Sequence, residues 1–314
     1  MMTVCFIVAT KDRPDDLRRM LESLAAQTRP PSLVIVVDSS AHPVSRVVDE
    51  FRGRLRVDYI RHRPPSASAQ RNAGIAAAPS DIGLLGFLDD DAALEPDAME
   101  KMLAFWESAP PDLGGCAFNM ANHPAQAFSA LKRWRIVKTL ELYGEPGRVM
   151  PSGWQTMTGF VSHDTWVDWI PSGAALWRAE IVRTCRFDEF FDGYSYLEDL
   201  DFSYTIRRRW RLAIVADARY HHYPSAVRAA RPYSFGRIEV RNRLYFVSKH
   251  GLSYPRCWLG LALRMGITLY DAAARFDRGA LARAFGNCAG MAAALTGTIG
   301  SSVTRGANAV LYKR

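Results

Sequence analysis

The sequence has no Cys-x-x-Cys pair, no Gly-x-Gly-x-x-Gly after its first strand-like segment, and no hydrophobic run suited to spanning a bilayer. Without the glycine fingerprint, the backbone cannot approach a pyrophosphate as a dinucleotide-dependent oxidoreductase requires. Cys5, Cys116, Cys185, Cys257 and Cys288 lie far apart and are odd in number, which argues for reduced thiols and a cytoplasmic setting rather than a disulfide framework. Met1-Met2-Thr3 leads straight into a strand pattern, with no basic stretch followed by an apolar leader. Arg264 interrupts one candidate span, and the uncharged run 284–304 is rich in Gly, Ala and Thr. Acidic residues are scarce late in the chain. Residues 207–314 hold 19 Lys/Arg against 4 Asp/Glu, a net of +15, whereas residues 1–206 carry a net of −7. A basic tail on an acidic body suits an anionic surface, and the lack of zinc-finger spacing or an RNP-type aromatic run disfavours nucleic acid.

With 48% hydrophobic and 11% aromatic residues, the 314-residue chain has the composition of a folded enzyme-sized body, most simply one large domain plus an extension. Its first half alternates buried-type strands with helical spacing. Val4–Ala9 is followed by Leu17, Met20, Leu21 and Leu24; Leu33–Val37 closes on Asp38; Val57–Ile60 precedes a small-residue helix through Gln70-Arg71-Asn72-Ala73-Gly74. Repeated β-α-β-α with apolar runs predicts a mostly parallel sheet covered on both faces. A fourth strand runs directly into Asp89-Asp90-Asp91. Three adjacent anions at a strand end repel one another, so folding alone gives no reason for them. A hard divalent cation shared with a phosphate ligand does, and ligands of open α/β sheets collect beyond the carboxyl ends of the strands. Asp38 and the triplet end two strands and Thr10 and Asp12 follow a third, so all should converge on one edge. The stretch from Trp106 to Val167 carries no clear pattern.

The ordered set Thr10-Lys11-Asp12-Arg13-Pro14, Val36-Val37-Asp38-Ser39-Ser40, Gln70-Arg71-Asn72-Ala73-Gly74, Phe87-Leu88-Asp89-Asp90-Asp91, Ser172-Gly173-Ala174, Phe187-Asp188-Glu189 and Glu198-Asp199-Leu200-Asp201 resembles the family 2 glycosyltransferases of GT-A fold. The resemblance covers about residues 3–222, with an echo in Arg241-Asn242-Arg243-Leu244. It implies a GT-A (Rossmann-like) catalytic domain over 1–225, with a nucleotide-sugar part to about residue 110 and an acceptor part to 225, followed by a basic helical extension over 226–314. It further implies an inverting enzyme that uses Mn²⁺ or Mg²⁺ and a nucleotide-sugar donor, a UDP- or dTDP-sugar. Thr10, Asp12, Asp38, Arg71, Asp89 and Asp90 would line the donor, and Asp91 would ligate the metal. Asp199 would be the general base that takes the proton of an acceptor hydroxyl. A further metal contact would come from His221 or His222; alternation sends their rings to opposite faces, and His222 is favoured. The chain departs from the family at Ser39, where many relatives have a second Asp, so base recognition here lacks one charge.

Rival readings fit less well. A sugar nucleotidyltransferase would want a Gly-rich phosphate loop, which Ala9-Thr10-Lys11-Asp12-Arg13-Pro14 is not. A non-catalytic GT-A-like binding protein would be expected to have lost Asp91 or Asp199. In the tail, Arg264, Thr268, Asp271, Arg275 and Arg278 recur at helical spacing opposite Trp258, Leu261, Met265, Leu269, Ala272 and Phe276. That pattern predicts one amphipathic helix, serving either as an in-plane anchor on an anionic inner leaflet for a lipid-linked saccharide acceptor, or as packing on the catalytic domain or a second subunit in a homodimer.

Overall fold

The computed structural model describes residues 2–123, 139–192, 195–224 and 231–297. They divide into two compact units, 1–126 with 157–225 and 127–156 with 226–314. The division expected from sequence cut the chain once, after residue 225, and kept 127–156 with the acceptor part. In the structure that stretch belongs with the C-terminal helices. Within the second unit the reason is visible, because Arg243, fully buried, donates to the Gly153 carbonyl and to Gln155 Oε1 (2.8 Å) and stacks 4.2 Å from the Trp154 ring.

The first unit is built on a nine-stranded sheet of order β3-β2-β1-β4-β8-β6-β9-β5, with β7 also paired to β9. Its strands are β1 (Val4–Thr10), β2 (Leu33–Asp38), β3 (Val57–Arg61), β4 (Leu84–Leu88), β5 (Ala92–Leu94), β6 (Leu113–Met120), β7 (Thr165–Val167), β8 (Ala174–Arg178) and β9 (Arg211–His222). The expected parallel ladder is present over β3-β2-β1-β4. Beyond it β8 runs antiparallel to both β4 and β6, so the sheet is mixed. Strand β6 falls inside the stretch that carried no sequence pattern. It is buried on both faces and contains Gly114 and Gly115, so it has neither alternation nor the usual density of large apolar residues.

Alternation along the strands divides the core between the two faces. Phe6, Val8, Val34, Val36 and Leu88 pack on one side with Leu17, Leu21, Met99 and Met102 of helices α1 (Pro14–Ala25) and α4 (Ala98–Ser108). Ile7, Ile35, Val37 and Phe87 pack on the other with Ile75, Val182 and Phe202. These last come from helices α3 (Ala67–Ala77), α5 (Ala179–Thr184) and α6 (Glu198–Arg207). A short helix α2 (Ser45–Asp49) follows β2. Each fully buried side chain of this size stabilises by about 1.5–3 kcal/mol.

The second unit holds helices α7 (Pro232–His250), α8 (Tyr254–Arg275) and α9 (Arg278–Leu295). The single helix expected through Arg278 is in fact interrupted. Phe276 takes a left-handed φ of 52°, and the Asp277 carboxylate then caps α9 by accepting from the amides of Gly279 (2.7 Å) and Ala280 (3.1 Å).

Gly74 marks the closest approach of α3 to the sheet, since a Cβ there would overlap the Ile7 side chain. Gly74→Ala should therefore cost about 1–3 kcal/mol, the range for overpacking a filled core. Urea unfolding that leaves the midpoint unchanged would show that Ile7 can move aside freely.

Candidate active site

The Gln70-Arg71-Asn72-Ala73-Gly74 segment shows how α3 assembles the site. Gln70 donates from Nε2 to the carbonyls of Thr10 (3.0 Å) and Val37 (2.7 Å), tying the ends of β1 and β2 together. Asn72 donates to the Phe187 carbonyl (2.9 Å) and accepts from its amide (3.0 Å). With both neighbours spent on the backbone, Arg71 is left to carry charge. Its guanidinium, almost wholly buried, lies 3.1 Å from Asp89 Oδ1 and 2.8 Å from Glu198 Oε1, with the Phe187 ring 5.3 Å away. It thus joins the end of β4 to the start of α6.

The acidic triplet splits by environment as well as by position. The Asp90 carboxylate accepts from Thr10 Oγ1 (2.8 Å) and from Arg13 (2.9 Å). Burial raises its carboxyl to about 6 even with that guanidinium beside it. Asp90 and Thr10, both expected to face the donor, are thus bound to each other inside the protein. Asp91 is buried, with Oδ2 3.3 Å from Arg13 and Oδ1 3.0 Å from His222 Nε2. Asp89 keeps 28% of its side chain exposed, and Gly173 makes room for it, because a Cβ on Gly173 would stand 2.8 Å from Asp89 Oδ2. The two histidines part as alternation requires. His222 turns to Asp91, while His221 Nε2 lies 3.2 Å from Glu95 Oε1.

Among the described residues, Asp89, Asp91 and His222 each offer a ligand atom within 4.8 Å of the others. Two carboxylates and an imidazole form a donor set that fits a hard divalent cation such as Mg²⁺ or Mn²⁺. The neighbouring guanidiniums moderate the repulsion between the carboxylates.

Asp38 and Asp12 serve the loops. Asp38 is fully buried and accepts from the amides of Ser40 (2.7 Å) and Val44 (3.0 Å), the Tyr59 hydroxyl (2.5 Å) and Arg61 (2.6 Å). Burial alone would raise its carboxyl, but these hydrogen bonds outweigh burial and hold it below the usual range. The Asp12 amide donates to Ser40 Oγ (2.7 Å), and its exposed side chain accepts from the Ala41 amide (2.7 Å). Ser39 is buried with its hydroxyl on the His62 carbonyl (2.8 Å).

The second carboxylate group opens α6. Ser195 and Leu197 both take left-handed φ values, 54° and 76°, just before Glu198 and Asp199. Two such non-glycine residues in three positions store strain that the packing around them must hold. Burial, then the charge of neighbouring Asp199, raises the Glu198 carboxyl; burial likewise raises that of Asp199, with Asp89 adding to it. Among the described residues, Arg71 pairs with both Asp89 and Glu198, with Asp199 next in line, so one cation is shared among three carboxylates.

Sequence reasoning missed Arg13, which neutralises Asp90 and Asp91. A signal was available. Arg13 sits at the N-terminus of α1, where the helix dipole disfavours a cation unless an anion compensates it.

Residues 5–162, about half the chain, match the family model described as glycosyl transferase family 2. The chain belongs to that family. It is 34% identical over 121 residues to an uncharacterized glycosyltransferase of Haemophilus influenzae, covering 38% of each chain. It is 33% identical over 115 residues to the glucosyl-dolichyl phosphate glucuronosyltransferase of Haloferax volcanii, covering 35% of this chain and 36% of the relative. The chain therefore spans little more than a third of the length of these curated relatives. In fold it is similar to residues 1–349 of S. aureus TarS in complex with UDP. That match has a TM-score of 0.54 at 18% identity, over 78% of this chain and 65% of that one. A mixed α/β sheet with a helical C-terminal region accords with this GT-A neighbour.

The raised Glu198 carboxyl has a consequence for stability. A carboxyl that holds its proton more tightly in the folded state makes the protein lose stability as pH rises above its ordinary 4.5. Glu198→Gln, which keeps an acceptor for Arg71, should flatten the decline in urea midpoint between about pH 5 and about pH 8. An unchanged decline in the variant would mean that Arg71 holds Glu198 ionised throughout.

Proposed function

We propose that this chain is an inverting, metal-dependent glycosyltransferase. It moves a sugar from a UDP- or dTDP-sugar to a lipid-linked saccharide, in the synthesis of cell-surface polysaccharide or glycolipid on the cytoplasmic side of the membrane. One observation carries the reading: two carboxylate groups, Asp89 with Asp91 and Glu198 with Asp199, stand apart at the same sheet edge and are joined through Arg71. Inverting transfer asks for this division, with one group for the donor diphosphate and another for the acceptor hydroxyl.

Asp89, Asp91 and His222 would hold a divalent cation, which when bound supplies countercharge for the departing diphosphate. Asp199 takes the proton from the acceptor hydroxyl as that oxygen attacks the anomeric carbon from the side opposite the nucleotide. Burial raises its proton affinity, which suits a base, and general-base help contributes about 10²–10⁴-fold. Glu198, bound to Arg71, fixes the helix start that aims Asp199. Residues to about 110 serve the donor and those from 111 to 225 the acceptor.

The relatives support the substrate classes. The archaeal one is named for a glucosyl-dolichyl phosphate, and a Rhizobium meliloti relative, ExoU, 31% identical over 105 residues (32% of this chain, 30% of that protein), is named for succinoglycan biosynthesis. TarS has been crystallised with UDP-GlcNAc as well as with UDP.

The direct test is nucleotide release from UDP-, dTDP- and GDP-sugars with Mn²⁺ or Mg²⁺. Failure of every donor under both metals would sink the reading. Asp91→Ala should abolish metal-dependent donor binding in calorimetry; unchanged affinity would place the cation elsewhere. Asp199→Asn should keep donor affinity while turnover falls about 10²-fold or more. Near-normal turnover would shift the base to Asp201 or Glu198.

A further inference from the structure

The last two helices of the second unit turn their uncharged sides outward. Along α8 the exposed positions Leu259, Ala262, Gly266, Leu269 and Ala273 follow one another at steps of three and four, with Tyr270 (72% exposed) beside them. On the opposite side of α8 Thr268 is buried and Arg264 reaches to 3.7 Å from the buried Glu239, with Leu261 and Ala272 of the expected apolar face buried beside them. Along α9, Leu281, Phe285, Cys288, Ala292 and Leu295 are exposed at the same steps. Cys288 touches Met265 (3.1 Å), the neighbour of Gly266, so the two stripes adjoin. At the turn between the helices Phe276 stands 92% exposed, flanked by exposed Arg275 and Arg278.

Soluble helices normally place charge on the outer face. Leaving large side chains in water forgoes part of the gain that burying them would bring. The charges around the stripes indicate what covers them. Of the five Arg in residues 254–297, Arg256 pairs with Glu141 and Arg264 and Arg283 pair with Glu239, which leaves Arg275 and Arg278 exposed at the turn, where Asp277 is committed to capping α9. An aromatic ring between two arginines at a helix turn fits the interface of an anionic bilayer, with the ring at headgroup depth and guanidiniums on lipid phosphates. Among the described residues no helix is long and apolar enough to cross a membrane, so the pair would lie in its plane. A second copy would bring its own Arg275 and Arg278 to the interface, which favours the lipid over the dimer.

We propose that the α8–α9 pair docks on an anionic lipid surface through these stripes, with Phe276 inserted and Arg275 and Arg278 on headgroup phosphates. The inference deepens the reading of a lipid-linked acceptor, yet vesicle binding requires neither donor nor acceptor, so each can fail alone.

The test is flotation of the full chain with phosphatidylcholine vesicles, with and without phosphatidylglycerol. Circular dichroism and urea midpoints serve as controls for folding, and sedimentation for oligomeric state. The chain should float with phosphatidylglycerol vesicles at low salt and release at high salt. Leu269→Glu with Phe285→Glu, and separately Phe276→Asp, should lower partitioning about tenfold or more. Arg275→Glu with Arg278→Glu should remove the preference for anionic lipid. The proposal fails if the full chain ignores anionic vesicles at low salt, or if Leu269→Glu with Phe285→Glu leaves binding unchanged. It fails equally if those substitutions instead split a dimer that does not bind vesicles. Nucleotide release measured in solution on the same preparations separates this outcome from failure of the glycosyl-transfer reading.

Discussion

Five carboxylates, those of Asp89, Asp90, Asp91, Glu198 and Asp199, gather at one edge of the sheet, and the site depends on the two guanidiniums set among them. Like charges about 4 Å apart repel by about 4 kcal/mol at the effective dielectric of a protein surface. Arg13 answers Asp90 and Asp91, and Arg71 answers Asp89 and Glu198. The placement of α1 and α3 follows from this requirement as much as from their apolar faces. Arg13 must reach the triplet from a helix start, and Arg71 must be buried beside Phe187 to span from β4 to α6. Gln70 and Asn72 hold α3 in that position by bonding backbone on either side of it.

How far a carboxylate's bonds are filled separates scaffold from site. Asp38 has no exposed surface and accepts four hydrogen bonds, so it holds the loop after β2 and has little capacity left for a ligand. Asp90 is likewise engaged on both oxygens. Asp89, with 28% of its side chain open and a glycine opposite, is arranged to meet something from outside. A strand-end aspartate therefore cannot be given a role from its position alone; its neighbours' donors must be counted. Ser39 illustrates the same point. Its hydroxyl bonds the His62 carbonyl, so it too is spent on holding the loop.

Much of this was legible in the amino-acid order because it depends on period and proximity. Continuous apolar runs along β1, β2 and β4 and helical spacing through Leu17, Met20, Leu21 and Leu24 foretold the parallel half of the sheet. Side-chain alternation along a strand foretold that His221 and His222 would part. What stayed hidden depends on partners distant in sequence. Arg13 meets Asp90 across 77 residues, and Arg71 meets Glu198 across 127. Strand β6 gave no periodic signal because both its faces are covered and two glycines stand where large side chains would mark it. The turn from β4 to the antiparallel β8 is also a non-local choice, with register running from Leu84–Arg178 to Leu88–Ala174.

The second unit shows why periodicity alone cannot orient a helix. The pattern of α8 set Arg264 and Thr268 opposite Leu261 and Ala272, yet all four turn toward the interior, because the facing is decided by what the interior offers. Here the interior offers Glu239, 1% exposed, and a buried carboxylate is costly unless paired. Arg283 (2.8 Å) and the Asn287 amide (3.1 Å) come to it from α9, and Arg264 approaches from α8. These partners hold its carboxyl below the usual range although burial works against it. Satisfying that one charge rotates Arg264 inward and, on a helix with 3.6 residues per turn, sends Leu259, Ala262, Gly266 and Leu269 outward. Exposure of apolar surface is thus the geometric consequence of a buried ion pair. An arrangement that commits its arginines to the interior while leaving leucines and aromatics outside is stable only if something apolar covers them or if the ion pair outweighs their exposure. The pairing of Glu239 and the outward apolar face are therefore one structural decision, and a substitution at Glu239 would be felt at the surface as well as in the core.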